Sequence, residues 1–97
     1  MLYVVIPVYN AVQFLDEAVN SVLTQPCKEI NIVLVNDGST DGSAQLCDEI
    51  AAKENRVSVI HQENKGVSAA HNAGIEYLIK NNLEGYVAFL DSDDLWL

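Results

Sequence analysis

A chain of 97 residues suffices for one domain with a modest core, and a hydrophobic content of 49% excludes a disordered segment. The net charge is −9, with five Lys and Arg against 14 Asp and Glu, which argues against nucleic acid or an anionic membrane as a direct partner. An acidic chain of this kind that holds a diphosphate needs a bridging cation. Cys27 and Cys47 lie far apart without metal-like spacing and read as reduced thiols, Cys47 on the apolar face of a helix. The N-terminus lacks a basic region and is too short for a signal peptide or a membrane span. The expectation is a soluble, cytoplasmic chain without membrane insertion of its own; attachment of a parent protein to the inner face of the membrane stays open.

Leu2–Ile6 is a continuous apolar, β-rich run and predicts a central strand ended by Pro7, which has no N–H for the ladder. Asn10 is a candidate N-cap for a helix with Asp16 and Glu17 near its start. Leu15, Ala18, Val19, Val22 and Leu23 recur at helical spacing, and Gln25-Pro26 marks the end. Ile30–Val35 predicts the second strand. The polar run from Asn36 to Ser43 is rich in turn formers, and Asp41 and Ser43 read as helix caps. The second helix places Leu46, Cys47, Ile50 and Ala51 on one face. Val57–Ile60 predicts a third strand, and Asn64-Lys65-Gly66 a turn. A third helix from about Val67 to Lys80 carries Ala70, Gly74, Tyr77 and Leu78 on one face. Gly74 inside it costs about 1 kcal/mol relative to Ala, a cost that close packing against a sheet explains. Tyr86–Leu90 predicts the fourth strand.

The alternation β-α-β-α-β-α-β implies right-handed crossovers and a mostly parallel α/β sheet. With strand order 3-2-1-4 the topological switch lies between strands one and four, and ligands bind along the carboxyl edge at such a point. Tyr9 and Asn10, Asp37, and Asp91-Ser92-Asp93-Asp94 then converge. Three carboxylates crowded at the end of a buried apolar strand repel one another, which a hard divalent cation such as Mg²⁺ or Mn²⁺ relieves. Taken alone, that triplet reads as a polar strand exit, and Asp37 as a turn residue as readily as a binding one. Asp37 to Asp48 has the spacing of an EF-hand loop, but a strand rather than a helix precedes it.

Four ordered motifs carry a resemblance over nearly the whole chain. They are Val5-Ile6-Pro7-Val8-Tyr9-Asn10, Val35-Asn36-Asp37-Gly38-Ser39-Thr40-Asp41, Asn64-Lys65-Gly66 with Ala70-His71-Asn72-Ala73-Gly74, and Leu90-Asp91-Ser92-Asp93-Asp94. Together they resemble family 2 glycosyltransferases, which implies the three-layer α/β/α, Rossmann-like half of a GT-A fold. The resemblance implies a nucleotide-sugar donor, commonly UDP-linked, an acceptor hydroxyl on a glycan or another molecule, and inversion at the anomeric carbon. Pro7, Tyr9 and Asn10 match the segment bordering the nucleoside, and Asp37 the acid that hydrogen-bonds the base. Asp91 and Asp93, flanking Ser92, match the Asp-x-Asp acids that hold Mn²⁺ or Mg²⁺, Asp93 as the more direct ligand. The N-terminus of the third helix near Gly66 is expected to add backbone donors.

His71 stands where many members of the family have Arg, and offers fewer donors and no permanent charge. The family's acceptor half and catalytic base correspond to sequence past Leu97. Residues 1–97 therefore read as a donor-binding portion with no catalytic base and little activity alone. An edge left bare at strand four invites pairing with a second chain. Two rival functions stand beside this one. A haloacid-dehalogenase-type phosphatase also uses Asp-x-Asp, but normally after its first strand. A non-catalytic nucleotide-binding or interaction module needs no reaction at all.

Overall fold

The computed structural model describes residues 1–26 and 29–91. Among them the elements run β1 (Leu2–Val8), α1 (Leu15–Leu23), β2 (Ile30–Asp37), α2 (Ser43–Lys53), β3 (Val57–Gln62), α3 (Val67–Lys80) and β4 (Tyr86–Phe89). The strands form one parallel sheet in the order β3-β2-β1-β4, the α/β architecture expected from the alternation.

The pleat sorts the core into two. Val4, Ile6, Val8, Ile30, Ile32 and Leu34 pack against Leu15, Val19 and Val22 of α1 and Cys47 of α2. On the opposite face Tyr3, Val5, Val33 and Val35 pack against Ala70 and Leu78 of α3. Both faces of β1 and β2 are therefore covered, which is why these strands read as unbroken apolar runs. Gly74 lets α3 lie against β1: a Cβ there would stand 2.6 Å from Val5 Cγ1.

The strands run longer than their apolar cores. β1 does not stop at Pro7 but continues to Val8, with Pro7 in register with Val35. Leu2 N donates to Glu29 O at 2.8 Å on the β2 side, whereas Val5 O accepts from Leu90 N at 3.1 Å on the β4 side. Pro7, two residues beyond Val5, therefore turns its ring nitrogen toward β4, whose strand has already ended at Phe89. No ladder bond is lost. β2 likewise runs through Asn36 and Asp37, which pair with His61 and Gln62 at the extended end of β3. Both residues are strand, not loop. β4 is shorter than expected by one residue, and it is not the buried strand its apolar composition suggests. Tyr86, Val87 and Phe89 are exposed along the sheet edge.

α1 begins later than expected. Its N-cap position is Phe14, without a side-chain cap, and Asn10 lies outside the helix at φ 48°. The chain turns first, with Phe14 N and Leu15 N both donating to Ala11 O. The formal cap of α2 is Gly42, so Ser43 is the first helical residue and Asp41 acts from just upstream.

Candidate functional site

At the carboxyl edge the loop after β1 is tied to the loop after β2 by side chains from both. Asn10 Oδ1 accepts from Thr40 N at 2.8 Å, and Asn10 N donates to Ser39 Oγ at 3.1 Å. Val12 N donates to Asp41 Oδ2 at 3.3 Å, and Ala11 N to the buried Ser43 Oγ at 3.0 Å. Ser43 Oγ in turn donates to Asp41 Oδ1 at 2.6 Å, which also accepts from Ser43 N at 2.9 Å. The Ser43 hydroxyl is the first influence holding the Asp41 carboxyl below its usual range; a smaller opposing effect of burial is outweighed with help from the Ser43 and Val12 amides. The polar run after β2 is therefore a latch that shapes the turn carrying Tyr9 and Asn10.

Asp37 closes a second latch across the sheet. It is 4% exposed and accepts from four donors. Gln62 Nε2 and Lys65 N reach Oδ1 at 2.9 and 2.8 Å, while Gly66 N and Asn64 Nδ2 reach Oδ2 at 2.9 and 3.4 Å. Asn64 Nδ2 also donates to Asp37 O at 3.0 Å. Burial is the largest single influence on this carboxyl and opposes its ionisation. The bonds from Gln62, Lys65 N and Gly66 N, with the Lys65 charge, outweigh it and hold Asp37 below the ordinary aspartate range. Two of the backbone donors expected to face a ligand near Gly66 are thus already used by Asp37. Gly38 makes this approach sterically feasible: its φ is 71°, and a Cβ there would sit 2.6 Å from Asn64 N.

Between these latches opens a pocket of about 500 Å³ lined by Pro7, Tyr9, Asn10, Ala11, Phe14, Asp37, Asn64, Gly66, Val67, Ala70 and Asp91. That volume falls within the roughly 300–1,000 Å³ of small-molecule sites. The fold thus brings Pro7, Tyr9, Asn10, Asp37 and Asp91 to one cavity. His71 is not on its wall. It directly follows the wall residue Ala70 on α3, its ring 4.3 Å from that of Phe89, with Nε2 buried and unpartnered among the described residues. Ser92 and Asp93 lie outside the described residues, as does Asp94. Among the described residues no cluster of three metal-ligating side chains forms. Asp91 is the exposed carboxylate on the pocket wall, since the Asp37 oxygens already have their donors. Phe14, Val67 and Ala70 were missed as wall residues by sequence reasoning. Phe14 (48% exposed) and Val67 (55% exposed) are large apolar side chains that the core leaves out, a signal visible only once burial is known.

The sequence pattern of the family described as Glycosyl transferase family 2 matches residues 3–97, and the chain belongs to that family. Glycosyltransferase GlyA of Streptococcus pneumoniae is 47% identical over 95 residues, covering 97% of this chain and 13% of that protein. The crystal structure of S. aureus TarS 1–349 in complex with UDP-GlcNAc superposes with a TM-score of 0.78 at 28% identity, covering 97% of this chain and 27% of that one. Mannosyltransferase PcManGT from Pyrobaculum calidifontis, in complex with GDP-Man and Mn²⁺, shares the fold with a TM-score of 0.81 at 22% identity, over 98% of this chain and 28% of that one. The chain spans less than a third of the length of each of these proteins. The sheet order and these likenesses identify the expected GT-A fold.

Proposed function

We propose that this chain is the donor-binding portion of a metal-dependent, inverting glycosyltransferase that takes a UDP-sugar and passes the sugar to an acceptor hydroxyl. The observation that carries this is the cavity at the carboxyl edge, walled by residues of all four family motifs, in a chain that belongs to family 2. The UDP-GlcNAc held by TarS supports the uridine donor.

In this reading the exposed ring of Tyr9 and the Pro7 ring wall the nucleoside, an aromatic face suiting a flat base. Asp37 takes a base N–H on Oδ2, sharing the site where Asn64 makes the longest of its contacts at 3.4 Å. Asp91 and Asp93 hold the cation that an acidic chain needs beside a diphosphate, with hard carboxylate oxygens suited to Mn²⁺ or Mg²⁺. A bound cation there would supply Lewis-acid stabilisation of the departing diphosphate. The acceptor site and the base that deprotonates the hydroxyl belong to sequence beyond residue 97.

The test is calorimetric titration of UDP with and without Mn²⁺, beside Asp91→Ala and Tyr9→Ala. The expected result is binding that requires the metal, weakened about tenfold or more by either substitution, about 1.4 kcal/mol each. Equal binding without metal, or an Asp91→Ala variant that binds as the parent does, would overturn the metal site. Absence of UDP binding both in this chain and in a longer one carrying the acceptor half would overturn the donor reading.

A further inference from the structure

Three side chains behind the pocket form a relay. His61 on β3 places Nε2 2.9 Å from Asp48 Oδ1 on α2 and Nδ1 3.1 Å from Asn36 Nδ2 on β2. Asn36 is 5% exposed, and its Oδ1 accepts from Ser39 N at 3.2 Å. Ser39 Oγ reaches Val8 O at 3.4 Å and receives Asn10 N–H at 3.1 Å. The line runs from a surface carboxylate to the turn that walls the pocket.

We propose that the Asp48–His61 pair is a positioning device that fixes the Asn36 amide and through it the pocket loop of residues 36–43. The consequence for ligand affinity rests on the donor-site reading above. The Ser39 amide can only donate, so Asn36 must turn Oδ1 toward it and Nδ2 toward His61. His61 Nδ1 must then accept, which leaves the proton on Nε2, where Asp48 receives it. A carboxylate selecting the tautomer of an imidazole is a recurring way to set the partner of its other nitrogen. The side chains of His61 and Asp48 are 44% and 64% exposed, so their contact adds little to stability, and orientation is the role left to it. In the other tautomer Nδ1 carries the proton and faces the Asn36 amide donor for donor. The amide must then flip and present its NH₂ to Ser39 N, and the Ser39 amide loses its bond to the β2 side chain. Asp48 is the charged group in contact with the ring among the described residues. On α2, the neighbouring Glu49 accepts from Gln45 at 3.5 Å. Asp37, on the adjacent strand, opens on the opposite face of the sheet with its own donors.

The experiment pairs amide hydrogen exchange, followed by NMR and corrected for intrinsic pH effects, with UDP affinity in Mn²⁺ for His61→Phe, Asp48→Asn and Asn36→Asp. In His61→Phe the Ser39 amide is expected to exchange about tenfold faster, the scale of one lost hydrogen bond, while the Ile32 and Leu34 amides stay unchanged. UDP binding should weaken by a similar factor. Asp48→Asn, which keeps the ring, should do the same more weakly and serves if His61→Phe does not fold. Asn36→Asp separates positioning from packing, because a carboxylate presents an acceptor to Ser39 N whichever way it is turned and does not need His61 to orient it. Adding His61→Phe to Asn36→Asp should leave Ser39 exchange and UDP binding close to those of Asn36→Asp alone, because the carboxylate already holds the Ser39 amide. Unchanged Ser39 exchange in His61→Phe and Asp48→Asn, or an acceleration by His61→Phe in the Asn36→Asp background as large as in the parent, would overturn the relay. Altered Ser39 exchange with unaltered UDP binding would overturn its effect on the ligand. A parent that binds no UDP, alone or in a longer chain, would refute the donor reading and leave the exchange data to decide the relay.

Discussion

Asp37 is a carboxylate that ties the turn before α3 to β2 at the edge of a binding cavity. Its donors Lys65 N and Gly66 N lie 28 and 29 residues along the chain, so neither partner is legible in the Asn-Asp-Gly-Ser motif that flags the residue. Replacing it with Asn puts an NH₂ in the place of one oxygen, against one of the two backbone N–H groups that need an acceptor. Asp37→Asn should therefore cost about 1–2 kcal/mol of stability near neutral pH, read from denaturant midpoints. The bonded carboxyl has a folded pKa below its unfolded value of about 3.9. The unfolded chain then binds more protons in acid. The contribution is complete above about pH 4 and is lost as pH falls through the depressed folded value. The stability gap between parent and Asp37→Asn should narrow over that same window, and a gap constant down to pH 2 would refute the assignment. Burial governs Cys47 differently: its thiol is pushed up to about 12 by desolvation first and by the neighbouring Asp48 charge second, so it stays an inert core residue.

At the scale of elements, period and composition located every strand and helix among the described residues, because a buried parallel strand and an amphipathic helix leave different apolar spacings. The ends were less legible. Pro7 is a strand breaker only if its nitrogen faces a partner, and which neighbour it faces is set by sheet order. Asn10 has the chemistry of an N-cap, but its side chain is taken by Thr40 from a loop thirty residues away. Gly74 was legible as a packing glycine without its partner, Val5. Gly74→Ala improves helix propensity by about 1 kcal/mol, yet it sets a Cβ 2.6 Å from a fully buried Val5 methyl that has no room to move. Overpacking of this kind costs about 1–3 kcal/mol, so the net effect should be a loss of stability. Adding Val5→Ala should reverse the steric part, and thermal melts of both variants and the pair give the comparison. A Gly74→Ala variant as stable as the parent would mean that α3 and β1 are free to separate.

At the scale of the whole molecule, the −9 net charge sets a self-repulsion that few ion pairs among the described residues relieve. Raising NaCl from about 0.02 M to about 0.3 M shortens the screening length to under about 10 Å. The melting temperature should rise by about 4 °C, the response of a domain near 100 residues to roughly 0.5–1 kcal/mol. A fall over that range would show that attractive pairs outweigh the repulsion. The sequence by itself determined the element order, the parallel sheet, the family and the cluster of motifs at one edge, because alternation, apolar periodicity and short polar motifs are local properties of the chain. Only the tertiary structure decided how those motif residues are employed. Asn10, Asp41 and Ser43 are latches between loops, Asp37 holds the turn before α3, and His61 stands behind Asn36. Each of these roles depends on a hydrogen-bond partner supplied by a distant segment, and such a partner exists only after β1, β2 and β3 are in register.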